Sequence, residues 1–225
     1  MQEVLEDAFK ILLNASVPLV AAGRTDAGVH AREMMAHADF DPPEDIPHFI
    51  YRLNALLPPD IAVRELLEVN EKAHARFDAT ERRYEYWIVK EKDPFFMDTA
   101  FYVPGDLDLD AMNSAASLLR EYKDFRCFSR SNSDVKTFLC DLRQAEWSRQ
   151  GHHWVFSITA DRFLRNMVRA IVGTLLEVGQ GKLGQEDVKA ILKSRDRSRA
   201  GVSVPAKGLY LTQVSYPADI FKPGT

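Results

Sequence analysis

Apolar residues recur every three to four positions from Val4 to Asn14. Val4, Leu5, Ala8, Phe9, Leu12 and Leu13 fall on one stripe, which predicts an amphipathic helix. A short apolar run, Leu19 to Ala22, and a second, Met34 to Phe40, read as strands on either side of a loop. Pro47 to Leu57 is a second predicted helix, with Ile50, Leu53, Leu56 and Leu57 inward, Pro47 in its first turn and Pro58-Pro59-Asp60 stopping it. Ile61 to Val69 reads as a further strand. The order is α-β-β-α-β, one strand short of the split β-α-β-β-α-β unit.

Beyond about His74 the pattern changes. Thr80 to Val89 alternates and is rich in aromatic and β-branched residues, so it predicts a long strand. Asp108 to Tyr122 is helical, with Met112, Ala115, Ala116 and Leu119 on one face. Thr137 to Arg149 and His153 to Ala160 read as a strand pair turning at Gln150-Gly151-His152. Phe163 to Val178 predicts a strong helix ending near Gly179, Glu186 to Ser194 a short one, Arg195 to Ala206 a loop, and Gly208 to Tyr216 a closing strand. The expected architecture is α+β, with mixed, antiparallel-rich sheets and helices outside. Two subdomains are expected, 1–72 and 73–225, their sheets meeting along a cleft.

Composition narrows this only a little. The chain has 225 residues, 46% of them hydrophobic and 28% charged, which suits an ordinary soluble globular protein of one large domain or two small ones. No apolar run is long enough to span a bilayer, and the acidic, amphipathic N-terminus does not read as a signal peptide. Cys127 and Cys140 show no Cys-x-x-Cys spacing, so both are expected to be reduced and buried in a cytoplasmic protein. The net charge of −4 disfavours a uniformly basic nucleic-acid binder, so any such contact must come from local clusters.

Four places could carry chemistry. In Gly23-Arg24-Thr25-Asp26-Ala27-Gly28-Val29-His30-Ala31, a carboxylate and a guanidinium two residues apart share a loop held between strands. A plain turn would use the same residue types. Three ionisable groups in so short a segment point instead to use. Arg162, Arg165 and Arg169 stand three and four apart. This predicts one helix face, either a solvated one or a phosphate-binding stripe with Arg169 turned inward against a buried carboxylate. Tyr84 and Tyr86 share one face of their strand, for core packing or for stacking on a base. Arg195, Arg197 and Arg199 with Lys193 and Lys207 make a basic loop, solvated or phosphate-contacting. The six histidines are scattered, and Asp26 with His30 finds no third metal ligand.

Four of these segments together resemble the tRNA pseudouridine synthase A family in order: Gly23 to Ala31, His74-Ala75-Arg76-Phe77 through Tyr86, Asp161 to Arg169 through Leu175, and Pro205 to Leu211. The resemblance spans nearly the whole chain. It implies isomerisation of uridine to pseudouridine in the anticodon arm of tRNA, at positions 38, 39 and 40, by a homodimer that needs no metal or redox cofactor. It implies that Asp26 is the catalytic carboxylate, acting as nucleophile or base at the sugar, and that Arg169 holds it ionised. Tyr84 would stack on the uracil and assist proton removal at C5, with Leu209 packing on the base's other side. Arg24 would take part in turning the nucleotide outward, and Arg162 and Arg165 would hold phosphates. Family members ordinarily begin with a strand bearing Asp-Gly and Gly-Trp-Gln ahead of the first helix. The expectation is therefore a chain shortened at its N-terminus, with a first sheet lacking one strand. The competing readings are a non-catalytic RNA-binding module and, well behind, a metal-dependent hydrolase using Asp26 and His30.

Overall fold

The computed structural model describes residues 1–130 and 135–222. The described residues form α1 (Gln2–Leu13), β1 (Val20–Ala21), β2 (His30–Ala31), β3 (Ala36–His37), α2 (Ile46–Leu56), β4 (Glu81–Val89), β5 (Phe101–Tyr102), α3 (Leu109–Leu119), β6 (Leu142–Gln150), β7 (His153–Ala160), α4 (Met167–Gly179), α5 (Gln185–Ser194) and β8 (Leu209–Ser215). No helix among them is long and apolar enough to cross a membrane. The mixture of helices with a mixed sheet makes the fold α+β.

These elements assort into two compact units interleaved along the chain. The smaller comprises residues 1–24, 34–79 and 216–225, and the larger 25–33 and 80–215. The expected division at residue 72 follows the change in composition. The actual grouping follows hydrogen bonding, because β2 pairs parallel with β8 (His30 opposite Tyr210, Ala31 opposite Leu211). The Arg32 N–H extends that ladder to the Leu211 carbonyl at 2.8 Å.

In the smaller unit α1 and α2 enclose a core of Ala8, Phe9, Val17, Leu19, Phe49, Leu53 and Leu57, with Phe9 meeting Phe40 and Phe49 edge-on. Asp45 caps α2 by accepting from the His48 N–H at 2.9 Å. Among the described residues its sheet is β1 against β3, both shorter than the strands expected over Leu19 to Ala22 and Met34 to Phe40. The expected strand over 61–69 does not form, apart from one bridge between Val69 and Phe221. At Val63 the Asn54 side chain stands in for a partner strand. Its amide donates to the Val63 carbonyl and its oxygen accepts the Val63 N–H, both at 2.8 Å, which satisfies locally the backbone groups a partner strand would otherwise take.

The larger unit carries a six-stranded sheet in the order β2-β8-β4-β7-β6, with β5 parallel to the end of β4. Helices α3 and α4 cover it, and Tyr86, Ile88, Phe156, Ile158, Met167, Ile171 and Leu175 form the fully buried centre. Two predicted boundaries move. β6 starts at Leu142, leaving only a bridge from Leu139 to Asp124 before it. α4 starts at Met167, because Asn166 adopts a left-handed conformation (φ 68°) that no α-helix continues through. Arg162 and Arg165 therefore lie in the turn ahead of the helix and not along its face.

Candidate functional site

Helix α4 is apolar almost all round. Of its residues only Arg169 and Glu177 are not buried. A cation in such a helix must find partners, and Arg169 has them on two edges of its guanidinium. Nη1 donates to Asp26 Oδ2 at 2.9 Å, and Nε to the Val204 carbonyl at 2.7 Å. The Val204 N–H returns a bond to the Arg169 carbonyl at 3.2 Å. A second cation, Arg165, stands with Nε 3.7 Å from Asp26 Oδ1. Side-chain exposure is 28% for Asp26 and 20% for Arg169, against 60% for Arg165. The inner pair is thus largely shielded from salt, while the outer arginine faces solvent.

Asp26 is aimed by a tight turn. Its carbonyl accepts the Val29 N–H at 3.1 Å, which puts Gly28 at the third position with φ 83°, a conformation natural to glycine. A side-chain carbon on Gly28 would meet Ala206 at 3.5 Å, an ordinary contact, so the backbone conformation and not space calls for glycine. Gly23 has no such constraint. After the turn, β2 locks into β8, and Glu33 accepts the Val214 N–H at 2.9 Å. The carboxylate therefore sits between an anchored turn and a buried helix, the preorganised arrangement that directed chemistry needs.

Beside it lies Tyr84 on β4, where the register with β8 shifts between Arg83 and Tyr84. Tyr84 is half-buried, with Phe163 edge-on at 5.1 Å. Burial pushes its hydroxyl up to about 12. The Arg82 charge opposes this and the Asp26 carboxylate adds to it. Two residues on, Tyr86 is fully buried, and its hydroxyl donates to the Pro205 carbonyl at 2.8 Å. Of the pair, Tyr86 serves the core.

Other expected residues fall elsewhere. Leu209 is buried in the main core. Arg162 is half-buried and its charge acts on the Cys140 thiol. Arg24 is exposed and belongs to the smaller unit. His30 stacks on Tyr210, with its Nε2 3.1 Å from the Asp98 carbonyl. Among the described residues no group of three or more His, Cys, Asp or Glu could hold a metal ion. The basic loop is partly consumed internally. Arg195 pairs with Asp124 at 3.0 Å, Lys207 bonds the Met97 carbonyl, and Arg197 turns inward. Both cysteines are free and buried.

Sequence reasoning missed Asn166, Ser203 and Val204, which hold the segment against α4. Asn166 Nδ2 donates to Ser203 Oγ at 2.6 Å. The one available signal was the small-residue pair Gly173 and Gly201, where helix and segment meet backbone to backbone.

Known proteins carry similar sequences. A family model described as tRNA pseudouridine synthase matches residues 115–217, which include Arg162, Arg165, Arg169 and Leu209. The tRNA pseudouridine synthase A of Parabacteroides distasonis is 50% identical over 222 residues, covering 98% of this chain and 88% of that protein. That of Porphyromonas gingivalis is 51% identical over 225 residues, covering 98% and 89%. That of Bacillus licheniformis is 40% identical over 222 residues, covering 96% and 89%. With such identity maintained over nearly the full length of the relatives, the chain belongs to the tRNA pseudouridine synthase A family.

Proposed function

We propose that this protein isomerises uridine to pseudouridine in the anticodon arm of tRNA, as a cytoplasmic homodimer, with Asp26 as the catalytic carboxylate. The reading rests on family membership together with one observation, the Asp26–Arg169 contact at 2.9 Å. The reaction breaks the bond from ribose C1′ to N1 of uracil, turns the ring and joins C1′ to C5. The proton leaves C5 and N1 gains one, so substrate and product are isomers and no electrons are exchanged.

Each residue's task follows from its surroundings. Two arginines flank Asp26, and their ion pairs hold the side chain that acts at the sugar. Arg169, bonded on two edges, fixes where that carboxylate points. The Tyr84 hydroxyl, pushed up to about 12, is protonated at neutral pH. It therefore offers an aromatic face and a hydrogen-bond donor rather than a ready phenolate base. Arg165, exposed at the rim, is suited to a phosphate of the RNA backbone. Bringing a uridine out of its stack costs a few kcal/mol, which such phosphate contacts offset.

Asp26→Asn tests the assignment. The amide keeps the shape and loses the charge. Tritium release from [5-3H]uridine in tRNA should fall by at least about a hundredfold, the scale of a positioned acid or base. The melting temperature and tRNA affinity should stay near those of the unaltered protein. Turnover within a few-fold of the original would remove Asp26 from the mechanism. Release of no tritium by the unaltered protein, with tRNA still bound, would favour a non-catalytic RNA-binding module.

A further inference from the structure

Arg197 belongs to the loop whose basic residues suggest a phosphate-contacting patch, yet its guanidinium is turned into the protein. Nη1 donates to the carbonyls of Ala200 at 3.3 Å and Gly201 at 3.2 Å, and Nη2 donates to Ser203 Oγ at 2.8 Å. Asn166 reaches the same hydroxyl oxygen from the head of α4 at 2.6 Å. Ser203 is thus gripped from two sides, by the residue preceding the helix that carries Arg169 and by the loop following α5. Its neighbour Val204 is the residue whose carbonyl receives Arg169 Nε.

We propose that Arg197, Ser203 and Asn166 form a positioning clasp that orients the Arg169 guanidinium, and through it Asp26, for the reaction put forward above, on which this inference rests. The backbone of α4 is already placed by its own packing. Gly201 lies against it, and the Gly201 N–H donates to Thr174 Oγ1 at 2.9 Å. The Val204 N–H on the Arg169 carbonyl and the Tyr86 hydroxyl on the Pro205 carbonyl fix the chain on either side of the Val204 carbonyl, and the clasp adds the hold on Ser203 that sets its direction. Arg169 has only two fixed edges, one on that carbonyl and one on Asp26. If the first drifts, the plane rotates about Cδ–Nε and the second follows. A displacement of about 1 Å at a reacting group can cost about a hundredfold in rate. The task suits arginine in particular, because three acceptors in one arc need its planar fork. A lysine ammonium would have to serve them all from one nitrogen, where arginine uses two separated ones.

The test compares Ser203→Val with its isostere Ser203→Thr, and both with Arg197→Lys, in pseudouridine formation on tRNA. Ser203→Val and Arg197→Lys should lower kcat by about tenfold or more while KM for tRNA stays within about twofold, and Ser203→Thr should restore kcat. The salt dependence of KM should be the same for Arg197→Lys as for the unaltered protein. A readout independent of catalysis is the 15N–1H resonance of Arg169 Nε, assigned by its disappearance in Arg169→Lys. It should be sharp in the unaltered protein and Ser203→Thr, and broadened or shifted in Ser203→Val and Arg197→Lys. Unchanged kcat with a raised KM, and a salt slope reduced by about one, would make Arg197 a phosphate ligand and overturn the clasp. A threonine variant no better than the valine one would also overturn it. If the unaltered protein forms no pseudouridine, the functional reading fails while the Arg169 resonance still decides the clasp. If Ser203→Val does not fold, Arg197→Lys carries both measurements.

Discussion

A buried thiol or phenol holds its proton more tightly than the same group in the unfolded chain, and this protein has three whose values burial pushes up to about 12. They are Cys127 and Cys140, from an ordinary 9.0, and Tyr84, from 10.0. Nearby Asp124 adds to the rise at both cysteines, while Arg197 and Arg162 each oppose it at one. The unfolded chain releases these protons first. Their contribution to stability is therefore complete below about pH 9 and is lost as the pH climbs from 9 through 12. Each unit of displacement is worth about 1.4 kcal/mol, so the loss by pH 11 should reach several kcal/mol. Urea midpoints measured from pH 7 to pH 11 should hold level to about pH 9 and then fall. A midpoint unchanged at pH 11 would contradict the burial of these groups. The cysteines were legible in the sequence as reduced and buried, because two thiols without a spacing motif in a chain of this composition have few other uses. The protonated state of Tyr84 was not legible, since it depends on Phe163 and Asp26, contributed from distant parts of the chain.

Helix α4 and the segment from Gly201 to Val204 act as one element, and glycine makes that possible. A side-chain carbon on Gly173 would stand 1.9 Å from the Val202 carbonyl oxygen, and one on Gly201 would stand 2.7 Å from the Thr174 nitrogen. Both obstacles are backbone, so neither can swing away. Gly173→Ala should destabilise the protein by about 3 kcal/mol or more and take activity with it, by pushing Val204 off Arg169. Gly23→Ala is the contrast. Nothing lies within 4 Å of the carbon it would add, and its melting temperature should stay within about 1 °C of the original. Equal melting of the two variants would refute the close approach. The sequence displayed this element unevenly. The apolar helix was readable, and the place of Arg169 deep in its apolar stretch singled that residue out as the inward one of three arginines. The start of the helix was not readable, because asparagine tolerates the left-handed conformation that ends the periodicity at Asn166. Nor was β2, a strand of two residues whose parallel partner lies nearly the whole chain away.

At the scale of the whole molecule the two units differ in what holds them. The larger has long ladders, β4 with β7 and β6 with β7, and a core around Tyr86, Phe156, Met167 and Ile171. The smaller has two strands of two residues each, irregular chain over 57–80, and a core centred on Phe9, Phe49 and Leu53. The strand expected over 61–69 would have narrowed that difference. The Val63 backbone groups are bound instead by the side chain of Asn54, a substitution that the apolar pattern cannot reveal. Opening free energy follows the buried apolar area and the hydrogen bonds that must break together. Amides of α1 and α2 should therefore exchange with solvent at least about tenfold faster than those of β4, β7 and α4, through local opening and not global unfolding. Leu53, fully buried, supplies the control. Leu53→Ala should cost the smaller unit about 2–5 kcal/mol, speeding exchange in α1 and α2. The slowest amides of β4 and β7 should keep their rates, because a weaker neighbour adds nothing to the cost of opening their own ladder. Hydrogen-exchange mass spectrometry reads both sets in one experiment. A single rate shared by both units, or equal acceleration of both by Leu53→Ala, would mean that they unfold as one body.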